Sequence, residues 1–245
     1  MHLTRESWTD ADAADTTLAV LPVGSTEQHG PHAPLGTDVL TAEAVAEAGA
    51  DRYADPVVVA PAIPVGIAEE HRRFSGTLWT SESTFRDYVR DVVGSLASHG
   101  WDRVVVVNGH GGNIAALKEV TARIVRHDDA YAVPFTWFDE VGEHTSDMGH
   151  AGPLETSLLR HTDADTVHED RLEAAAAEWA DRWGEWQGRV NLAVDSDEFT
   201  DNGVVGDPRE SSADLGEELL DRSADALCAL LDAVRNRDPG PRIDD

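Results

Sequence analysis

The sequence predicts an α/β fold with a mainly parallel central sheet, and three observations carry that expectation. Four consecutive valines, Val104 to Val107, show no polar alternation, as befits a strand covered on both faces. Apolar runs of strand length alternate with segments of helical spacing through the first half of the chain. Polar residues able to do chemistry collect just after those runs, where open α/β sheets bind their ligands.

The elements follow in order. TLAVLPVG (17–24) is a short apolar run ending at Pro and Gly and reads as a buried strand. Val39 to Tyr53 is alanine-rich with helical spacing, and VVVAPAIPVG (57–66) reads as a second strand leaving through a Pro/Gly loop. Ser81 or Ser83 caps a helix running to about His99 and closed by Gly100. DRVVVVNGHGGN (102–113) is the clearest strand, followed by a helix over about 113–127 and a strand at YAVPFTW (131–137). Residues 139–152 are irregular, and Pro153 suits the first turn of a helix. The acidic stretch 165–189 carries Trp179, Trp183 and Trp186, whose spacing predicts one helical face used for packing or oligomer contact. A final amphipathic helix covers 212–235, with a frayed end over about 236–245. No repeat or linker divides the chain, so residues 1–245 are expected to form one domain.

Composition narrows the function. Asp and Glu number 47 against 19 Lys and Arg, a formal net charge of −28, and Lys118 is the single lysine. Such an excess repels nucleic acid and anionic membrane. Its even spread suits a halophilic surface, where molar salt screens repulsion within a few ångströms. With one cysteine, Cys228, neither a disulfide framework nor a thiolate cluster is possible. The N-terminus lacks a signal-peptide pattern and no run reaches the roughly 20 apolar residues of a membrane span, so a cytoplasmic protein is expected.

Four polar segments follow predicted strands: GSTEQHGPHAPLGTD (24–38), EEHRRFSGT (69–77), NGHGGN (108–113) and SDMGHAGPLETS (146–157). Glu27 and His29 are two apart and share one side of an extended segment, and Asp38 can return across a turn containing Pro31, Pro34 and Gly36. His110 arrives between glycines, and Glu155 projects from the first turn of its helix. Three carboxylates and two imidazoles form a donor set suited to Zn²⁺, Mn²⁺ or Fe²⁺. Five ligands exceed what one structural zinc takes. They fit two divalent ions sharing a bridging carboxylate, for which Asp38 is the natural candidate; such a pair activates water and polarises a carbonyl. NGHGGN alone could also cradle an anion at a helix N-terminus, although it lacks the GxGxxG order.

LPVGSTEQHGPHAPLGTD, HRRFSGT, VVNGHGGN, HAGPLETS and the later NGVVGDP resemble, in order, the signature blocks of the creatininase (creatinine amidohydrolase) family, over about residues 18–220. The resemblance implies a Rossmann-like three-layer α/β fold, commonly hexameric, with a two-metal centre. It implies one metal on Glu27, Asp38 and His110, a second on His29, Asp38 and Glu155, and proton transfer to the leaving nitrogen by His150. Two positions depart from the family's creatinine-cleaving members: Gly112 stands where they carry a glutamate, and Ser146 where they carry a tryptophan. The expected substrate is therefore a small amide other than creatinine. The resemblance extends to archaeal deformylases of a formamidopyrimidine ribonucleotide in flavin and deazaflavin synthesis, the expectation placed first, and to relatives that trim a redox-cofactor peptide precursor. His71, Arg72 and Arg73 are expected at the mouth, the arginines binding a substrate phosphate or pairing with local acids such as Glu69 and Glu70. Backbone N–H groups of Gly111 and Gly112 are candidates for steadying the oxyanion. An isomerase or lyase on the same ligands, and a non-catalytic metal-binding module, are the alternatives of another class.

Overall fold

The computed structural model describes residues 1–237. Four strands form a parallel sheet in the order β2-β1-β3-β4: β1 (Leu18–Val23), β2 (Val58–Val59), β3 (Arg103–Asn108) and β4 (Tyr131–Thr136). β1 pairs with β3 from Leu18↔Arg103 to Val23↔Asn108, and β3 pairs with β4 from Arg103↔Tyr131 to Asn108↔Thr136. The valine run explains the layering. Val104 and Val106 pack on one side with Phe85, Val89 and Val93 of α3 (Glu82–Ser98) and Leu117, Val120 and Ile124 of α4 (Ile114–His127). Val105 and Val107 pack on the other with α2 (Thr37–Arg52), α5 (Pro153–Thr162) and α7 (Ala213–Arg235). This is the predicted helix–sheet–helix stack. Ser81 caps α3 by accepting the Thr84 N–H, and Ser212 caps α7 through Leu215.

Two expectations need correction. The second strand is only Val58–Val59, because Pro61 and Pro64 have no N–H for a ladder. Contact with β1 continues through single hydrogen bonds from Ala60 N to Val20 O and from Ile63 N to Pro22 O. The tryptophans do not share a helical face. Short helices at Trp8–Asp12 (α1) and Leu172–Ala177 (α6) bracket the main layers, and α6 ends before Trp179. Gly184 and Gly188 then take φ of +80° and +65°, which turns the chain into a hairpin of β5 (Trp186–Gln187) and β6 (Val190–Asn191). α7 ends at Arg235, and the expected frayed end falls from residue 238 onward outside the described residues. Among the described residues no helix is long and apolar enough to cross a membrane.

Because all four strands run parallel, the loops after β1, β2, β3 and β4 emerge on one edge of the sheet. Close backbone approach keeps them together. A Cβ on Gly109 would stand 2.1 Å from the carbonyl oxygen of Asp38. The substitution Gly109→Ala is therefore expected to destabilise by about 1–3 kcal/mol through overpacking. Gly94, within α3, has open space at the same atom, so Gly94→Ala should stabilise by about 0.5–1 kcal/mol. Denaturant melts of the two variants check the contrast, and equal effects would contradict it.

Candidate metal centre

The loop after β1 places Glu27, His29 and Asp38 within the protein, each 1% exposed or less. Asp38 lies in the first turn of α2, brought over β1 by Gly24. His110 follows β3, and its ring is oriented by a 2.6 Å hydrogen bond from Nε2 to the Ile67 carbonyl, which turns Nδ1 inward. Asn113 stitches three loops together, donating to Gly24 O and accepting from Ile67 N. Glu155 sits in the first turn of α5, where Oε2 accepts the Ala151 N–H at 2.6 Å. Ala151 holds φ at +52°, an uncommon conformation for a residue with a side chain. That turn aims its N–H at the carboxylate and leaves Oε1 toward His29.

Asp38 is at the middle. Its Oδ1 lies 3.2 Å from His29 Nε2, while its Oδ2 lies 3.2 Å from His110 Nδ1. Glu155 Oε1 joins the first set at 3.6 Å from His29 Nε2, and Glu27 Oε2 joins the second at 3.2 Å from His110 Nδ1. The contacts are not satisfied hydrogen bonds. Glu27 Oε1 and Oε2, His29 Nε2 and Asp38 Oδ2 are all buried without a hydrogen-bond partner, a situation natural interiors avoid. Donors converging on a common point, rather than on one another, fit a cation. His29 Nδ1 donates to the Glu27 carbonyl at 3.2 Å, which leaves the Nε2 lone pair available to a cation.

The electrostatics agree. Burial pushes the Glu27 carboxyl up to about 7, against the pull of His110 and with repulsion from Asp38. Burial would also raise Asp38, yet His29 and His110 hold it well below the ordinary carboxylate range. Burial would lower both imidazoles, but Asp38 and Glu155 drive His29 upward, and Glu27 and Asp38 do the same to His110. Protons thus supply the positive charge that the carboxylates demand when no metal does so. A raised value keeps the competing proton bound below it and releases it as pH rises through it. Metal affinity should therefore increase with pH, by about tenfold per unit for each proton displaced. Zinc titration calorimetry in buffers of different ionisation enthalpy should show proton release; a pH-independent affinity would contradict this.

His150, on the loop before α5, is buried, and burial with the charge of His29 lowers it to about 4. Its Nε2 donates to Gln28 O at 2.7 Å, leaving the Nδ1 lone pair 3.8 Å from Glu27 Oε1. Its ring lies 4.3 Å from that of His29 and stacks on His71 at 4.5 Å. Three buried triads thus adjoin: Glu27–Asp38–His110, His29–His150–Glu155 and Glu27–His71–His150.

The remaining expected residues fall elsewhere. His71 is not at a mouth but 1% exposed, with Nε2 3.4 Å from Glu27 Oε1. Arg72 pairs with Glu69 at 3.4 Å, the local pairing expected as the alternative. Arg72 and Arg73 both pair with Asp195, at 2.8 and 3.2 Å, and Arg73 also with Asp197 at 3.2 Å. They clamp the 195–197 turn beside His71 rather than face the centre. Gly111 and Gly112 open the short turn before α4, and a Cβ on Gly112 would meet Ile67 O and the Nε2 edge of His110. The carboxylates face the other ring nitrogen, so this turn does not line their side. Two neighbours stood out in the sequence, Trp183 as a packing residue and His32 as a member of the first polar loop, but not as parts of the centre. Trp183 sets its ring edge against His71 and His150, at 5.3 and 5.7 Å. His32 is fully buried with Nε2 2.9 Å from Thr156 Oγ1, next to Glu155. Gln28, between Glu27 and His29, was legible only as part of the EQH string.

Comparison with known proteins agrees with this arrangement. The family model described as creatininase, creatinine amidohydrolase, matches residues 3–231. The mycofactocin precursor peptide peptidase of Mycolicibacterium smegmatis is 35% identical over 83% of this chain and 79% of its own length. The creatinine amidohydrolase of Pseudomonas putida is 30% identical over 70% of this chain and 74% of its own. A solved manganese creatininase superposes with a TM-score of 0.77 at 24% identity, covering 96% of this chain and 99% of that one. With the signature loops gathered at one edge of the expected three-layer fold, the chain belongs to the creatininase family of amide C–N hydrolases.

Proposed function

We propose that this protein is a two-metal amidohydrolase that cleaves a peptide bond in a short peptide substrate. The observation that carries the two-metal reading is the division of Asp38, one oxygen toward His29 and Glu155, the other toward His110 and Glu27. Zn²⁺, Mn²⁺ or Fe²⁺ held there would polarise the amide carbonyl and make water nucleophilic at neutral pH. The protein's own part is to fix the ligands in a dry site and to move the proton. His150, anchored through Nε2, is left with an Nδ1 lone pair to take a proton from the attacking water and pass it to the departing nitrogen as the C–N bond breaks.

The peptide reading is supported by the mycobacterial relative, the more similar of the two compared, and by Gly112 and Ser146 at the two positions that depart from creatinine-cleaving members. The deformylase expectation drew on Arg72 and Arg73 as phosphate ligands, and both are engaged by Asp195. Assembly of several copies, which the family resemblance implies, and a high-salt habitat, suggested by the charge of −28, belong to the same proposal. Assays in molar KCl, with the assembly followed by sedimentation, suit both. The deciding experiment offers short peptides, creatinine and a formamidopyrimidine ribotide to the metal-loaded protein in ¹⁸O-water. The expected result is peptide cleavage with label in the new carboxylate. Turnover of the ribotide alone would move the function to deformylation, and no hydrolysis by fully loaded protein would overturn it.

A further inference from the structure

Three buried triads adjoin, yet the proposed centre uses two ions, and the third triad, Glu27, His71 and His150, has the composition of a metal site as well. The side chain of Gln28 decides its use. Gln28 Oε1 accepts the Gly30 N–H at 2.9 Å and its Nε2 donates to Gly203 O at 3.0 Å. These two backbone groups fix which end of the amide is which. The remaining Nε2 hydrogen points at His71 Nδ1, 2.9 Å away. A hydrogen on Nδ1 would set two N–H groups head-on, so Nδ1 must accept. Ser196 Oγ, 3.1 Å from the same nitrogen, gives its own hydrogen to Glu70 O and tolerates either form. The neutral ring then carries its hydrogen on Nε2, the atom facing Glu27 Oε1 at 3.4 Å.

We propose that Gln28 locks His71 as the Nε2–H tautomer, which makes His71 a positioning residue for the Glu27 carboxylate and keeps the third triad free of metal. A ligating imidazole needs a lone pair at the coordinating nitrogen, and His71 has none on that side. Its N–H faces Glu27 Oε1 across 3.4 Å with no hydrogen bond formed, and Oε2 is the Glu27 oxygen beside His110 in the centre. His150, stacked on His71, keeps its Nδ1 for proton transfer. The close fit leaves Gln28 no freedom to turn over. Gly203 has φ of +81°, and a Cβ there would overlap the Gln28 amide.

This inference rests on the two-metal reading, and one sample tests each separately. Zinc per chain is measured on the zinc-loaded protein, and long-range ¹H–¹⁵N spectra of its ¹⁵N-labelled histidines report which nitrogen of each ring is protonated. His71→Gln identifies the His71 signals. Two zinc ions with an Nε2–H, Nδ1-accepting His71 are expected. In Gln28→Glu, whose carboxylate demands a hydrogen from Nδ1, the tautomer should reverse and zinc affinity at the Glu27 half fall roughly 10- to 100-fold. His71 protonated on Nδ1, or bound to zinc, in the parent protein would overturn the inference even with two ions present. Fewer than two ions with the tautomer as stated would instead strike the two-metal reading. The parent spectrum decides the tautomer even if Gln28→Glu does not fold.

Discussion

Replacing Asp38 with alanine is expected to reduce bound metal from two ions per chain to fewer than one and to lower turnover by at least about 1000-fold. The reason is positional. Asp38 stands between the two halves, one oxygen 3.2 Å from His29 and the other 3.2 Å from His110, so its loss removes a donor from both at once. Glu155→Gln offers the contrast. Glu155 belongs to the His29 half, and its loss should release one ion while the Glu27–His110 half persists. Metal analysis after gel filtration, with circular dichroism to verify the fold, reads both variants. Retention of two ions by Asp38→Ala would remove the shared carboxylate from the account.

His150→Gln should behave in the opposite way on metal, keeping two ions, while turnover falls by about 10²- to 10⁴-fold, the range general acid–base catalysis supplies. His150 comes within reach of the His29–Glu155 set, so the metal count is the informative half of the measurement. Its neighbours His29, His71 and Trp183 occupy the rest of the ring's surroundings. In this account Nδ1 serves the proton rather than a metal. Loss of one ion in this variant would make His150 a ligand and leave the proton without a carrier.

The sequence made the scaffold legible because its signals are local. Val104 to Val107 could satisfy both faces only inside a covered parallel sheet. Glu27 and His29 were readable as a pair because a spacing of two sets side chains on one side of an extended chain. Asp38 and His110 followed from loops at strand ends. The features less legible depend on distant chain. Trp183 reaches His71 from a turn more than a hundred residues away, and the helical period assumed for its stretch gave way to glycines at positive φ. Asp195 captures Arg72 and Arg73 across a similar separation, which no count of nearby Glu69 and Glu70 could reveal. His71 looked exposed because its neighbours in sequence are charged, yet the 195–197 turn and Trp183 cover it. Burial of a loop histidine is set by what folds over it.

The most direct measurement is a crystal structure of the zinc-loaded protein with anomalous data recorded at the zinc edge. The account predicts two anomalous peaks about 3.5–4 Å apart, one bound by Oδ1 and the other by Oδ2 of Asp38. A single peak, or a pair in which Asp38 touches only one ion, would contradict it.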